Sequence, residues 1–217
     1  MDDHPLVRER LTEIISQEKG LMVCAEAEDR AGALKSIAAA RPDLAIIDLA
    51  LKDSNGLELI KDIHNRWPRL LMLVVSMHDE SLYAERVLRA GARGYITKQE
   101  ATRNILLAIH KVLVGEIYLS GKTAAIVLAR LASNSAPSGS ITDLLTDREF
   151  EVFELTGSGL SVREIGERLR IDVKTVETYR IRMKEKLGIQ SSSALLQMAI
   201  RWNQHPETEP GAPGPPP

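Results

Sequence analysis

Between residues 6 and about 115, short apolar or β-branched runs alternate with segments of helical periodicity. This alternation leaves few architectures open, because strands separated by helices pair in parallel and the helices cover both faces of the sheet. The runs 21–25, 44–47, 70–75 and 94–97 read as strands. The second and third are almost wholly apolar, as strands covered on both sides are. Helices are predicted at 5–18, 31–40, 57–66, 82–90 and 100–113. Gly20, Gly91 and Gly115 fall just past three of these helices, where a left-handed C-terminal cap suits glycine. The expected class is α/β, a flavodoxin-like doubly wound parallel sheet. Its first strand is expected to be missing, since a helix follows Met1-Asp2-Asp3-His4 directly.

The second half reads differently. Residues 118–132 continue as a helical connector, and 133–140, rich in Ser, Asn, Pro and Gly, have the composition of a flexible linker. Beyond it, Thr146-Asp147-Arg148-Glu149 and Ser161-Val162-Arg163-Glu164 place a hydroxyl and a glutamate three residues apart, the capping box that opens a helix. Asp172 is a suitable cap for a third helix ending before Gly188, and Ser191 or Ser192 opens a fourth that reaches Trp202. The expected organisation is an α/β domain at 1–117, a connector and linker at 118–143, an all-α four-helix domain at 144–203, and a disordered Pro/Gly-rich tail at 204–217.

Composition excludes several classes of function. No apolar run approaches the ~20 residues that span a bilayer, and the start lacks a basic region followed by an apolar one, so a cytoplasmic protein is expected. The single cysteine, Cys24, lies in an apolar run and reads as a buried structural thiol with no disulfide or metal set around it. The formal charge of −2 conceals a basic stretch: 174–186 holds five basic and two acidic residues.

In a doubly wound sheet, ligands bind beyond the carboxyl ends of the strands. The polar residues there are Asp2 and Asp3 before the first helix, Asp48 after 44–47, Ser76 after 70–75, and Lys98 after 94–97. Three carboxylates suit a hard cation, and a hydroxyl and an ammonium suit an oxyanion, so the set is one that attracts phosphate. A carboxylate attacks an anionic phosphoryl donor only if charge is neutralised, for which Mg²⁺ is the expected cofactor.

Asp2-Asp3-His4-Pro5-Leu6-Val7-Arg8, Ile46-Ile47-Asp48-Leu49-Ala50-Leu51, Leu73-Val74-Val75-Ser76-Met77-His78-Asp79-Glu80 and Gly91-Ala92-Arg93-Gly94-Tyr95-Ile96-Thr97-Lys98 together resemble the receiver domain of NarL/FixJ-family response regulators, over about residues 1–119. The resemblance implies that Asp48 is the phosphoacceptor and that Asp2, Asp3, Asp48 and the Ala50 backbone carbonyl bind Mg²⁺. It further implies that Ser76 and Lys98 contact the phosphoryl group and that Tyr95 holds the switch position. The chain departs from the family in two places. The missing strand is the family's central one, which implies either a natural start upstream of Met1 or a crippled receiver. Lys52 stands where the family often has proline, which frees the 49–55 loop without removing a ligand.

In the third helix of the second half, Val176, Tyr179, Met183 and Leu187 share one face, while Lys174, Thr178, Ile181, Arg182 and Glu185 lie on or near the other. Val162, Ile165 and Leu169 give the preceding helix its own core stripe. The short Arg170-Ile171-Asp172 connection suits a helix-turn-helix, although periodicity alone also fits a small bundle with a charged face. Leu145-Thr146-Asp147-Arg148-Glu149, Ser161-Val162-Arg163-Glu164-Ile165, Lys174-Thr175-Val176-Glu177-Thr178-Tyr179 and Lys186-Leu187-Gly188 resemble the LuxR-type module over 144–202. By that resemblance 172–187 is the recognition helix of a double-stranded DNA reader. Lys174, Glu177, Thr178 and Ile181 are placed near bases. Arg180, Arg182 and Lys184 are placed on phosphates, and Thr175 belongs to the same DNA-binding set.

The expected function is a phosphorylation-controlled transcriptional regulator of a two-component system, not an enzyme with its own substrate. Its expected partners are DNA, a sensor histidine kinase, a second copy once phosphorylated, and RNA polymerase as a further candidate. A phosphorylation-independent regulator carrying a pseudo-receiver is the alternative.

Overall fold

The computed structural model describes residues 1–51, 54–132 and 141–204. The chain divides into two compact units, Met1–Ser133 and Asn134–Pro217. The linker at 133–140, the tail beyond Gln204 and Lys52 fall outside the described residues.

The first unit opens with α1 (Pro5–Ser16), whose proline supplies the fixed φ suited to a first helical turn. Next come α2 (Arg30–Ala40), β1 (Leu44–Ile47), the short β2 (Ala50–Leu51) and β3 (Ser54–Asn55), α3 (Gly56–Arg66), β4 (Leu71–Ser76) and α4 (Glu80–Arg89). The unit closes with β5 (Gly94–Thr97), α5 (Lys98–Leu113) and α6 (Gly121–Ala132). Asp29, Asn55, Asp79 and Thr97 cap α2, α3, α4 and α5, each side chain accepting from an amide of its own first turn.

Strands β1, β4 and β5 form a parallel sheet in the order β1-β4-β5, with Ile46 opposite Leu73 and Val74 opposite Tyr95. This register brings the carboxyl ends of all three strands to one edge of the sheet. On one face, α1 and α5 enclose a core containing Ile15, Leu73, Val75, Ile96, Ile105 and Ile109.

The strand expected at 21–25 does not form: among the described residues this segment pairs with no other strand. The physical reason is the lack of a neighbour to pair with. Between 21–25 and β1 lies a slot of about 430 Å³, lined by Leu21, Val23, Ile37, Leu44 and Ile46 among others. Met1 bridges the end of the slot nearest the carboxyl edge. Its ammonium donates to the Ile46 carbonyl at 3.0 Å, the Asp48 amide donates to the Met1 carbonyl at 2.9 Å, and the Asp2 amide donates to the Ala27 carbonyl at 3.1 Å. Burial pushes the Met1 ammonium below its ordinary value. The same geometry corrects the reading of Cys24. Leu21 and Val23 lean on the α1–α5 core, while Met22 and Cys24 point outward, and the thiol is exposed.

Within the connector, the helix expected from 118 starts later. Tyr118 adds a single parallel rung beside Gly94, its amide donating to Arg93 at 3.0 Å and its carbonyl accepting from Tyr95 at 2.9 Å. The helix proper begins at Gly121.

The second unit comprises the short α7 (Ile141–Leu144), α8 (Asp147–Gly157), α9 (Val162–Leu169), α10 (Val173–Lys186) and α11 (Ser192–Gln204). Both capping boxes are formed, at Thr146 with Glu149 and at Ser161 with Glu164. Helix α8 packs on α10 and α11, and α9 packs on α10. Phe150, Phe153, Ile165, Val176, Met183 and Leu195 are fully buried at its centre, and the Phe150 and Trp202 rings meet edge to face at 6.4 Å.

Candidate functional site

Asp2 sits beside the end of β1, held by its amide on Ala27 and by Arg8, whose Nη1 donates to the Asp2 carbonyl at 2.7 Å. Asp48 follows β1, Ser76 ends β4, and Lys98 starts α5 directly after β5. The sheet therefore unites residues that are distant in sequence. The Lys98 ammonium lies 2.8 Å from Asp2 Oδ2 and 2.7 Å from Asp48 Oδ2. All three side chains are at most 11% exposed, so this charge-assisted bridge is shielded from water. Burial pushes the Asp48 carboxyl above its ordinary value, with Lys98 opposing and Asp2 adding to the rise. Burial pulls Lys98 down, but Asp48 and Asp2 outweigh it and hold the ammonium above its ordinary value.

The donor set fits a divalent cation. Asp2, Asp3, His4 and Asp48 each offer an atom within 4.8 Å of the others, and Asp48 Oδ1 is buried with no hydrogen-bond partner among the described residues. Three carboxylates against the Lys98 and Met1 ammoniums still leave negative charge over, as a hard cation with oxygen ligands requires. His4, which sequence reasoning left aside, places Nδ1 2.7 Å from Asp3 Oδ1 at the exposed mouth of the cluster. Ala50 pairs with Asn55 in the β2–β3 ladder, so its backbone is held close to the Asp48 turn.

Gly56 was also missed, and it seats that turn. A Cβ there would stand 2.1 Å from the Asp48 carbonyl oxygen and 2.6 Å from the Leu49 Cα. Only glycine permits so close a backbone approach, and the Gly56 amide uses it to donate to the Leu49 carbonyl at 2.8 Å. The Asn-Gly pair at 55–56 was the legible signal for it.

Ser76 is fully buried, and its hydroxyl accepts from the His78 amide at 3.4 Å. Tyr95 is turned inward and fully buried, its hydroxyl donating to the His78 carbonyl at 2.9 Å. Burial, reinforced by the negative charges of Asp48, Glu80 and Asp79 and only partly offset by Ser76, raises the phenol far above its ordinary value.

In the second unit, α9 and α10 meet across Arg170-Ile171-Asp172. Arg170 adopts a left-handed φ of 53°, and Ile171 donates to the Gly166 carbonyl at 2.9 Å. A Cβ on Gly166 would lie 2.8 Å from the Ile171 carbonyl, so glycine lets the turn close tightly. Asp172 occupies the N-cap of α10, but its side chain makes no capping hydrogen bond. Val176 and Met183 are buried, and Tyr179 and Leu187 are half-buried on the same face. Lys174, Glu177, Thr178, Ile181, Arg182 and Glu185 are exposed, whereas Thr175, Arg180 and Lys184 are half-buried. The Thr178 hydroxyl donates back to the Lys174 carbonyl at 2.9 Å, which leaves its lone pairs for an outside donor. At the far end of α10, Lys186 donates to the buried Glu149 at 2.6 Å and ties the helix to α8.

A parallel sheet with an acidic cluster and a lysine at its carboxyl edge, followed by a helix-turn-helix with one exposed face, matches two known families in that order. Residues 1–110 match the response regulator receiver domain, and 143–199 match the bacterial regulatory proteins of the luxR family. The chain belongs to the NarL/FixJ-type response regulators, which pair a receiver with a LuxR-type helix-turn-helix and regulate transcription by binding DNA. Among its relatives is the oxygen regulatory protein NreC of Staphylococcus aureus, 33% identical over 205 residues that cover 92% of this chain and 94% of NreC. A LuxR-family two-component response regulator from Aurantimonas is similar in structure, with a TM-score of 0.56 and 33% identity over 60% of this chain and 94% of that one. RcsB of Salmonella enterica, bound to the promoter P1flhDC in the presence of the phosphomimetic BeF3−, aligns with a TM-score of 0.60 at 25% identity, covering 91% of this chain and 95% of RcsB.

Proposed function

We propose that this regulator is switched by phosphorylation of Asp48, and the observation that carries the reading is the Lys98 bridge between Asp2 and Asp48 beside a buried Asp48 oxygen that has no hydrogen-bond partner among the described residues. Asp48 attacks the phosphorus of a phosphohistidine on a sensor kinase. The new O–P bond forms as the P–N bond breaks, and the imidazole keeps the electron pair and takes up a proton. Asp2, Asp3, Asp48 and the Ala50 carbonyl would hold Mg²⁺, which neutralises charge between carboxylate and phosphoryl group when bound. Lys98 transfers its ammonium from Asp48 to a phosphoryl oxygen, and the Ser76 hydroxyl donates to another. Tyr95, tethered to His78, is the reporter of that movement on the α4–β5–α5 side.

On the DNA side, α10 enters the major groove, with Lys174, Glu177, Thr178 and Ile181 toward base edges. Arg180, Arg182, Lys184 and Thr175 face the backbone. Glu177 accepts from cytosine N4, and Ile181, an apolar side chain 53% exposed on a polar face, packs on a thymine methyl. RcsB holding a promoter with a phosphomimetic supports the order of events, modification then DNA, and a symmetric homodimer reading paired half-sites is the assembly expected of such a regulator. Asp48 is given no substrate beyond the phosphoryl donor, and RNA polymerase is kept as a further partner. No described helix is long and apolar enough to cross a membrane, in keeping with the proposed cytoplasmic site of action. In this reading the receiver spans 1–117, the connector and linker 118–143 and the DNA-binding domain 144–203, with 204–217 as a tail.

The test is the intact mass of the full chain after Mg²⁺ and acetyl phosphate, beside its Asp48→Asn variant. One phosphoryl increment, absent in the variant and accompanied by tighter DNA binding, is the expected result. No increment in either protein, with unchanged DNA binding, would establish a phosphorylation-independent regulator.

A further inference from the structure

Helices α8 and α9 close their own first turns: the amides of Thr146 and Ser161 each donate at 2.8 Å to a glutamate three residues on. The connector helix α6 does not. Ser120 stands at its cap, accepting the Thr123 amide on its hydroxyl at 3.3 Å and the Ala124 amide on its carbonyl at 2.9 Å. The residue three positions on is Thr123, which brings no carboxylate. That carboxylate is Glu80, the first residue of α4. Its Oε1 accepts the Ser120 amide at 2.7 Å and its Oε2 accepts the Thr123 hydroxyl at 3.0 Å. The capping box of α6 is thus divided between two helices. Glu80 is 6% exposed and Thr123 3%, so water does not substitute for the contact.

Glu80 also ends a short tether that begins at the strand-end site. Ser76 accepts the His78 amide, the His78 carbonyl accepts the Tyr95 hydroxyl, and Asp79 caps α4 by accepting the Ser81 amide at 2.8 Å. The 76–80 turn therefore has the proposed phosphoryl-binding hydroxyl at one end and the connector's carboxylate at the other.

We propose that Glu80 is the positioning residue through which the phosphorylation site governs the connector helix. When the Ser76 hydroxyl turns to a phosphoryl group on Asp48, the 76–80 turn shifts, Glu80 leaves Ser120 and Thr123, and the first turn of α6 opens. The inference rests on the assignment of Asp48 as the phosphoacceptor.

The experiment is peptide-resolved hydrogen exchange on the full-length chain, with and without acetyl phosphate and Mg²⁺, alongside intact mass and DNA affinity. In the wild type, phosphorylation is expected to speed exchange over 120–125 about tenfold, the scale of losing one cap. Glu80→Ala is expected to show that faster exchange unmodified, to accept the phosphoryl group as the wild type does, and to bring the DNA affinities of its two forms within about twofold of each other. Thr123→Val, nearly isosteric, is expected to shift exchange in the same direction by a smaller factor. A purely structural role for Glu80 would leave the wild-type exchange at 120–125 indifferent to phosphorylation. That outcome, with the mass increment present, overturns the inference, as does a Glu80→Ala chain whose two forms keep the wild-type ratio of DNA affinities. No increment on the wild type overturns the Asp48 assignment, and this inference with it.

Discussion

The strand-end site of the first unit and the α10 face of the second are built on opposite principles. At the strand ends, Lys98 and Asp48, 50 residues apart, share a largely buried hydrogen bond, and each group is shifted by the other. On α10, Lys174, Glu177, Thr178, Ile181 and Arg182 all lie within one helix, exposed to solvent. A buried polar site is coupled to the stability of its fold, because removing one partner strands the others away from water. An exposed helical face leaves stability nearly untouched, so its substitutions are felt in binding.

Gly56→Ala should have the largest effect. Its Cβ would collide with the backbone of Asp48 and Leu49, and rigid backbone cannot step aside as a side chain does. A loss of at least about 4 kcal/mol, confined to the first unit and read by hydrogen exchange of its peptides, is expected. Exchange in the second unit is expected to stay as it was.

Lys98→Met follows. It leaves Asp2 and Asp48 buried together without a cation and should cost about 3 kcal/mol in a denaturant titration. Millimolar Mg²⁺ should restore much of that loss, since a divalent cation replaces the missing charge. A variant as stable as the wild type in the absence of Mg²⁺ would show the bridge to be incidental.

The comparison is sharpened where the second unit has a buried charge of its own. Burial works to raise the Glu149 carboxyl, but Lys186 and Thr146 outweigh it and hold it below the ordinary glutamate range. A carboxylate depressed in the folded state adds stability above the ordinary glutamate range and loses it as pH falls through the depressed value. Lys186→Met should remove about 1–2 kcal/mol from the second unit, less than Lys98→Met because the lysine side chain is 37% exposed. It should also flatten the acid limb of that unit's pH–stability curve.

The smallest effect on stability belongs to the exposed face. Ile181→Ala should change stability by no more than about 0.5 kcal/mol while weakening specific DNA binding about tenfold. Arg182→Ala should lower the salt dependence of binding by about one unit of slope without altering the preferred sequence. If Ile181→Ala destabilised the second unit as much as Lys186→Met, the division between buried and exposed sites would not hold.

Much of the fold was legible because its determinants are local. The strands at 44–47 and 94–97, the self-contained capping boxes at Thr146 and Ser161, and the inward stripe of Val176, Tyr179, Met183 and Leu187 each depend on residues within about one turn or one pleat of each other. The segment 21–25 shows the limit of that reading. Its apolar pattern suits a strand, yet a strand exists only if a neighbour accepts its backbone hydrogen bonds, and beside it the structure has an open slot. Cys24 is exposed for the same reason, since the burial of an apolar run depends on what covers it.

By itself, the sequence determined the helical and extended periods, the caps, and the placing of Asp48, Ser76 and Lys98 at strand ends, all consequences of short-range geometry. Tertiary structure alone decided that Lys98 would bridge Asp2 and Asp48, that Gly56 would lie against the Asp48 carbonyl, and that Glu80 would complete the cap of α6. These contacts join residues far apart in the chain, and which partners meet is set by how the strands and helices pack around a shared core.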